Sequence, residues 1–274
     1  MGLIALMTDF GNRDPYVAIM KGVIKRINPG VEIADVAHEL PPFRVLPAAY
    51  SLYNTYKWYP PGTVFGVVID PGVGTDRRAI VAKTKNYWFV APDNGVLSPV
   101  LKKASDAEVY VVDEEELNRV ASGEAGLTNW NISSTFHGRD VFAPATALIS
   151  KYGRPGKWVY PVGVDELVEE NIFWEKKEKS EISYKVVNID RFGNVALSTL
   201  FSDSTLKNFH RVIIRTNEGI LETRRVKTFG EAEVGELIFY ENSFGFLEIA
   251  INQDNASKQL GVDIGDVISF RSIS

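Results

Sequence analysis

The chain has 274 residues, 45% hydrophobic and 24% charged, which is the size and composition of a globular protein with one large domain or two smaller ones. A net charge of −5 and a pI near 5.4 argue against a nucleic-acid binder, which would carry a basic stripe. The lack of cysteine excludes disulfides, thiolate metal sites and a cysteine nucleophile, and it fits a cytoplasmic protein.

No apolar run approaches the length of a membrane span, and residues 1–9 lack the basic start of a signal peptide. Residues 3–7 read instead as a first buried strand, ended by Thr8-Asp-Phe-Gly11. Asp14-Pro15 predicts a helix start, with Asp14 as N-cap and Pro15 in the first helical position. Val17, Ile19, Met20, Val23, Ile24 and Ile27 give that helix a broad apolar face, and Asn28-Pro-Gly30 stops it. A strand over 31–36 and a helix over roughly 45–58 follow, and Pro60-Pro-Gly62 punctuates the chain.

Residues 63–69 are β-branched and apolar enough for a buried strand, so Asp70 stands where a strand ends. Pro71, Gly72 and Gly74 then turn the chain, and Arg77 can face Asp70 across that turn. Gly72-Val-Gly74-Thr-Asp-Arg77 is most of a dinucleotide fingerprint. It fails because residues 79–84 read as a strand, not as the helix whose N-terminus would carry a pyrophosphate. That strand and a second over 87–90 form a hairpin turned at Lys85-Asn86.

Pro92-Asp-Asn-Gly95 is another polar strand exit, leading to a short helix over 96–103 and a strand over 108–112. Residues 114–135, acidic and then rich in glycine, asparagine and serine, look like a long surface excursion. They deliver Thr135-Phe-His-Gly-Arg-Asp140, and a helix over 141–152 with Asp140 as its cap. A charged linker over 169–179 marks a boundary between a domain at 1–168 and a second at 181–274. Beyond it, short alternating runs at 183–189, 211–215, 219–223, 237–241, 246–251 and 266–271 predict a small antiparallel barrel or sandwich.

Asp9/Asp14, Asp70/Arg77, Asp93/Asn94 and His137/Arg139/Asp140 all lie at strand or loop exits of the first domain. On the carboxyl edge of a mainly parallel sheet they would share one crevice. No H-E-x-x-H, calcium loop or G-x-S-x-G elbow is present. The residues alone support a two-domain α/β enzyme or binding protein with an acidic crevice.

Thr8-Asp-Phe-Gly11, Asp70-Pro-Gly-Val-Gly74 with Arg77, Thr135-Phe-His-Gly-Arg-Asp140 and Asp190-Arg-Phe-Gly-Asn194, in that order, resemble the S-adenosyl-L-methionine (SAM) hydroxide adenosyltransferases, relatives of the fluorinase and chlorinase. The resemblance implies an α/β domain followed by a small β-barrel, and a homotrimer with SAM between one subunit's first domain and its neighbour's second. It implies hydrolysis of SAM to adenosine and methionine, with SAM as substrate and no cofactor or metal. Asp70, Arg77 and His137 take the catalytic positions. Asp9 would hold the ribose hydroxyls, Asp190 the methionine amino group and Asn194 the adenine edge, with Phe192 stacked on the base and Ser243 adding a contact. Asp14 and Phe136, in the same stretches, are further candidate substrate contacts.

The halogenases carry aromatic residues where this chain has Asp70 and His137, and the fluorinase has Arg where this chain has Phe244. These departures point to water as nucleophile. Two other readings stand beside hydrolysis: a non-catalytic SAM or adenosine sensor, and a metal-dependent nucleotide hydrolase.

Overall fold

The computed structural model describes residues 2–128 and 130–272. Contacts divide the chain into Met1–Glu170 and Asn171–Ser274, and each unit has its own hydrophobic core.

In the first unit, β1 (Leu3–Thr8) is apolar from Leu3 to Met7 because both of its faces are covered. Ile4 and Leu6 pack with Met20, Ile24 and Leu148, while Ala5 and Met7 pack with Ala48 and Leu52 on the other face. The helix α1 (Tyr16–Ile27) buries Val17, Met20, Val23, Ile24 and Ile27, whereas Ile19 is exposed. Asp14 does not cap it. Pro15 occupies the N-cap position, so Asp14 lies one residue too early to reach the free N–H groups, and its side chain is exposed.

The chain continues through β2 (Glu32–Ala37), α2 (Val45–Thr55) with a 3₁₀ turn at Tyr56–Trp58, and β3 (Val64–Val68). The expected hairpin follows as β4 (Ala79–Lys83) and β5 (Trp88–Pro92), then α3 (Ser98–Lys103) and β6 (Glu108–Val112).

The next segment corrects the sequence reading. Glu114–Ala125 is a regular helix, α4, not a surface excursion. Asp113 caps it by accepting the Glu116 N–H, three glutamates fill its first turn, and Gly126 ends it at φ +63°. Its buried face is narrow, only Leu117, Ala121 and Ala125, which is why periodicity did not reveal it.

A π-turn at Gly138–Phe142 leads into α5 (Ala143–Tyr152), and β7 (Val159–Val162), absent from the sequence reading, closes the unit. β7 is a short edge strand containing Pro161, which only an edge tolerates well.

The sheet order is β2-β1-β3-β5-β4-β6-β7. The first four strands are parallel, and the last three add antiparallel pairings. The carboxyl ends of β1, β3, β5 and β6 therefore share an edge with the start of β4. That edge collects Asp9, Asp70, Asp93, Glu114 and the Arg77-Arg78 pair.

In the second unit the strands are β8 (Glu175–Lys177), β9 (Ile182–Ile189), β10 (Val195–Leu200), β11 (Arg211–Thr216), β12 (Gly219–Arg225), β13 (Leu237–Glu241), β14 (Phe246–Ile251) and β15 (Val267–Ser272). A short α6 (Ala256–Leu260) precedes β15. The order β10-β14-β13-β12-β11-β15-β9, with β9 pairing back onto β10, closes a seven-stranded barrel. Tyr184, Val186, Leu197, Ile214, Phe239, Leu247, Ile249 and Phe270 are among the residues that fill it.

Two details differ from expectation. β12 and β13 pair in parallel, because residues 226–236 cross over between them instead of turning back. The segment 169–179, read as a linker, contributes β8, which adds to β9 outside the closed ring. β8 reads as linker because all its residues are charged and exposed.

Candidate active site

Asp70 leaves β3 directly into a turn whose geometry returns Arg77 to it. Val73 N–H donates to the Asp70 carbonyl (3.3 Å), and Thr75 Oγ1 to that of Gly72 (2.7 Å). Gly74 sits at φ +75°, and a Cβ there would fall 2.3 Å from the Ser134 carbonyl oxygen. Only glycine fits, and the fit seats this turn against the loop that brings His137.

Arg77 forms a fork on Asp70, with Nε donating to Oδ1 at 2.8 Å and Nη2 to Oδ2. The same Nη2 donates to His137 Nδ1 at 2.9 Å. The side chains of Asp70, Arg77 and His137 are only 5%, 9% and 8% exposed. Arg77 also lies over the Phe142 ring, 5.0 Å from its centroid. The structure thus brings together the three residues to which the family resemblance gives catalytic positions.

A guanidinium can only donate, so His137 Nδ1 is the acceptor and the neutral imidazole carries its proton on Nε2. Arg77 Nη1 is buried and has no hydrogen-bond partner among the described residues. Facing it is Glu114, whose Oε1 is 3.8 Å from Nη1 and also 3.8 Å from His137 Nδ1. Sequence reasoning missed Glu114, because it opens a helix that the sequence did not reveal.

Beside this cluster is a cavity of about 130 Å³ lined by Phe10, Tyr16, Val73, Phe136, Asp70 and His137. Phe10, Tyr16 and Phe136 pack against one another with centroids 5.2–6.1 Å apart. One wall is thus aromatic and the other ionic. Asp14, exposed, is not among the lining residues. Asp9 accepts the Phe43 N–H at 2.8 Å. Burial pushes the Asp9 carboxyl above its ordinary value against that bond, and the charge of Asp70 pushes the same way.

Other acids at this edge are structural. Asp140, expected as a helix cap, is 1% exposed inside the π-turn. It accepts from Trp130 Nε1 (2.7 Å), Ser133 N–H (2.8 Å) and both Nε (2.6 Å) and Nη2 (2.8 Å) of Arg139. It bolts the preceding loop, because the α-helix proper starts only at Ala143. Asp93 holds Arg78 and the Val168 N–H, and Asn94 donates to the Ile69 carbonyl.

In the second unit, Asp190–Asn194 is the turn between β9 and β10. Asp190 Oδ1 accepts the N–H groups of Phe192 and Asn194, each at 2.9 Å, and Oδ2 accepts Asn194 Nδ2 at 2.9 Å. Phe192 is left 75% exposed. Asp190, Phe192 and Asn194 line a cavity of about 640 Å³ with Phe229, Ile251, Gln253, Asp254 and Asn255. Phe229 and Asn255 were not foreseen. Asn255, which caps α6, could have been found as a helix N-cap. Ser243 is exposed in the turn before β14 and does not line this cavity.

Among known proteins, the SAM hydroxide adenosyltransferase N-terminal domain model matches residues 4–158, and the corresponding C-terminal domain model matches 184–269. The chain is 35% identical to an (R)-S-adenosyl-L-methionine hydrolase of Methanocaldococcus jannaschii, over 98% of this chain and 96% of the relative. It is also 35% identical to one of Thermus thermophilus, over 96% of each. A fluorinase of Actinoplanes sp. is 28% identical over 91% of each chain. A solved structure of an uncharacterized conserved protein from Thermotoga maritima superposes with a TM-score of 0.84 at 39% identity, covering 98% of this chain and 99% of that one.

Proposed function

We infer the reaction from one premise: the chain belongs to the SAM hydroxide adenosyltransferase family. It is a hydrolase that converts SAM to adenosine and L-methionine. The observation that carries the mechanism is the buried Asp70–Arg77–His137 cluster beside an aromatic cavity.

SAM is a sulfonium, and its leaving group is the neutral sulfur of methionine. Displacement at the ribose C5′ therefore needs no general acid. It needs an oxygen nucleophile aligned with the C–S bond. Bulk water has a pKa of about 15.7, so activation of water is the problem to solve. Arg77 favours the developing hydroxide electrostatically, Asp70 holds Arg77 and helps orient the water, and His137 is the group that takes its proton. Asp9 holds the ribose hydroxyls, Phe136 borders the nucleoside, Asp190 meets the methionine ammonium, and Phe192 and Asn194 receive the adenine. Ser243 is left the outlying contact.

The candidate contacts divide between residues before and after Glu170, and this division, with the family resemblance, supports a homotrimer whose sites are shared between neighbouring chains. No metal or cofactor enters this reading, so turnover persists in excess chelator.

Incubation with SAM followed by chromatography tests the activity, with calorimetry on variants to separate binding from turnover. Asp70→Asn and His137→Ala each lower turnover at least about a hundredfold while SAM still binds. Arg77→Lys recovers only part of what Arg77→Ala loses, since a point charge cannot reproduce the fork. Binding of SAM by the wild type without adenosine release would establish a sensor instead.

A further inference from the structure

We propose that Glu114 is the positioning carboxylate that converts His137 from a hydrogen-bond donor into the base that takes the proton from water. The proposal rests on the reading that Asp70, Arg77 and His137 hydrolyse SAM.

The geometry poses a difficulty that those three residues do not resolve. Both oxygens of Asp70 are committed to Arg77. Protonating that carboxylate would break the fork that holds the guanidinium. His137 is the remaining base, yet its Nδ1 accepts from Arg77 Nη2, which leaves the proton on Nε2. In that tautomer the ring has no free lone pair.

Glu114 stands where it can change this. It is the first residue of α4, held in place because Asp113 caps the helix at 3.0 Å from the Glu116 N–H. Its side chain is 30% exposed, so it has room to move. Arg77 Nη1, on a side chain nine-tenths buried, lacks a partner among the described residues and faces Glu114 Oε1 at 3.8 Å. An approach of about 1 Å would bring Oε1 within hydrogen-bond reach of both Arg77 Nη1 and His137 Nδ1. Arg77 then keeps Asp70 through Nε and Nη2 and satisfies its orphaned donor. His137 gives up its bond from Nη2 and turns to Glu114, its proton exchanging from Nε2 to Nδ1 through solvent; Nδ1–H then donates to Glu114, and Nε2 is freed as an acceptor.

Among the described residues, the charged and titratable groups facing His137 are Arg77 and Asp70 from the turn between β3 and β4, Glu114 from α4 and Tyr16 from α1. Arg139, on its own segment, is turned away onto Asp140. The step balances as follows. A water O–H bond breaks and its proton moves to Nε2, while the oxygen's electron pair forms the bond to C5′. The C5′–S bond breaks with its pair staying on sulfur. Glu114 stabilises the imidazolium and, being partly exposed, passes its Nδ1 proton to solvent while the proton from water stays on Nε2.

The test compares kcat, KM and the pH profile for wild type, Glu114→Gln and Glu114→Asp, with thermal melts to confirm folding. Glu114→Gln is expected to lower kcat about a hundredfold with KM unchanged, and Glu114→Asp to restore part of it. The pH profile of kcat is expected to change in Glu114→Gln as well, because the carboxylate facing His137 is gone. An independent readout is the ¹⁵N NMR tautomer of His137. With adenosine and methionine bound, the Nδ1–H form gains population in the wild type and not in Glu114→Gln. Wild-type kcat and pH profile in Glu114→Gln would overturn the proposal, as would a loss of kcat that only tracks a lower melting temperature. If the wild type itself releases no adenosine, the hydrolase reading falls and this role falls with it.

Discussion

Glu248 shows how a single carboxyl sets a pH dependence. It lies on β14 opposite Tyr240, is 9% exposed, and accepts from Asn242 Nδ2 at 2.8 Å and from the Tyr240 hydroxyl. Burial raises its pKa above the ordinary 4.5, the two hydrogen bonds oppose that, and the charge of Asp190 adds to the rise. Asp9 is raised above 3.8 chiefly by burial as well. A carboxyl with a raised folded-state pKa keeps its proton longer in the folded protein than in the unfolded chain. Its contribution is therefore fully present below the unfolded value and is lost as pH rises through the folded one. Stability should fall as pH climbs from about 4.5 towards neutrality, and Glu248→Gln should flatten that fall while leaving Asp9's share. A series of Tm values against pH for both proteins decides it, and parallel curves would refute the assignment. At this scale the sequence was readable where chemistry was local. Asp70 and Arg77 meet because only a glycine turn separates them. Asp140 was misread as a cap because the π-turn delays the α-helix beyond it, and Glu114 was invisible because it opens α4, which the periodicity did not reveal.

Elements whose cores are broad were legible, and those with narrow or no buried faces were not. The hairpin of β4 and β5 and the strand before Asp70 followed from continuous apolar runs. The helix α4, the edge strand β7 and the exposed β8 carry too little buried surface to leave a pattern. In α4 the end signals, Asp113 and Gly126, were more informative than the periodicity. The glycine turn is the element on which the site depends most. Alanine at Gly74 must adopt φ +75° and displace the Ser134 backbone, whereas at Gly123, on α4, a Cβ meets nothing within 4 Å. Gly74→Ala should cost about 1–3 kcal/mol and reduce turnover more than Gly123→Ala does, because Arg77 and the loop bearing His137 separate. Melting curves and adenosine release on the two variants measure this, and equal activity would mean that the turn does not position Arg77.

At the scale of the whole molecule, the two-part layout was readable from the change from mixed helices and strands to short alternating runs. The residue pattern left barrel and sandwich both open, since closure depends on β9 pairing with both β15 and β10, which no local pattern encodes; the family resemblance supplied the barrel. Assembly is the remaining step of the proposed function. A trimer of this chain has three times the 30.5 kDa chain mass, which light scattering measures directly. The sharper test mixes two inactive proteins, Asp70→Asn and Asn194→Ala, in equal amounts after unfolding and reassembly. If each site takes its catalytic cluster from one chain and its adenine turn from the next, random trimers regain about a quarter of the wild-type sites. A site needs an intact first unit and an intact second unit from different chains, and each is intact half the time. If both parts of the site come from the same chain, every site keeps one lesion and the mixture stays inactive. Recovery near a quarter supports the shared site; mixed oligomers without recovery rule it out.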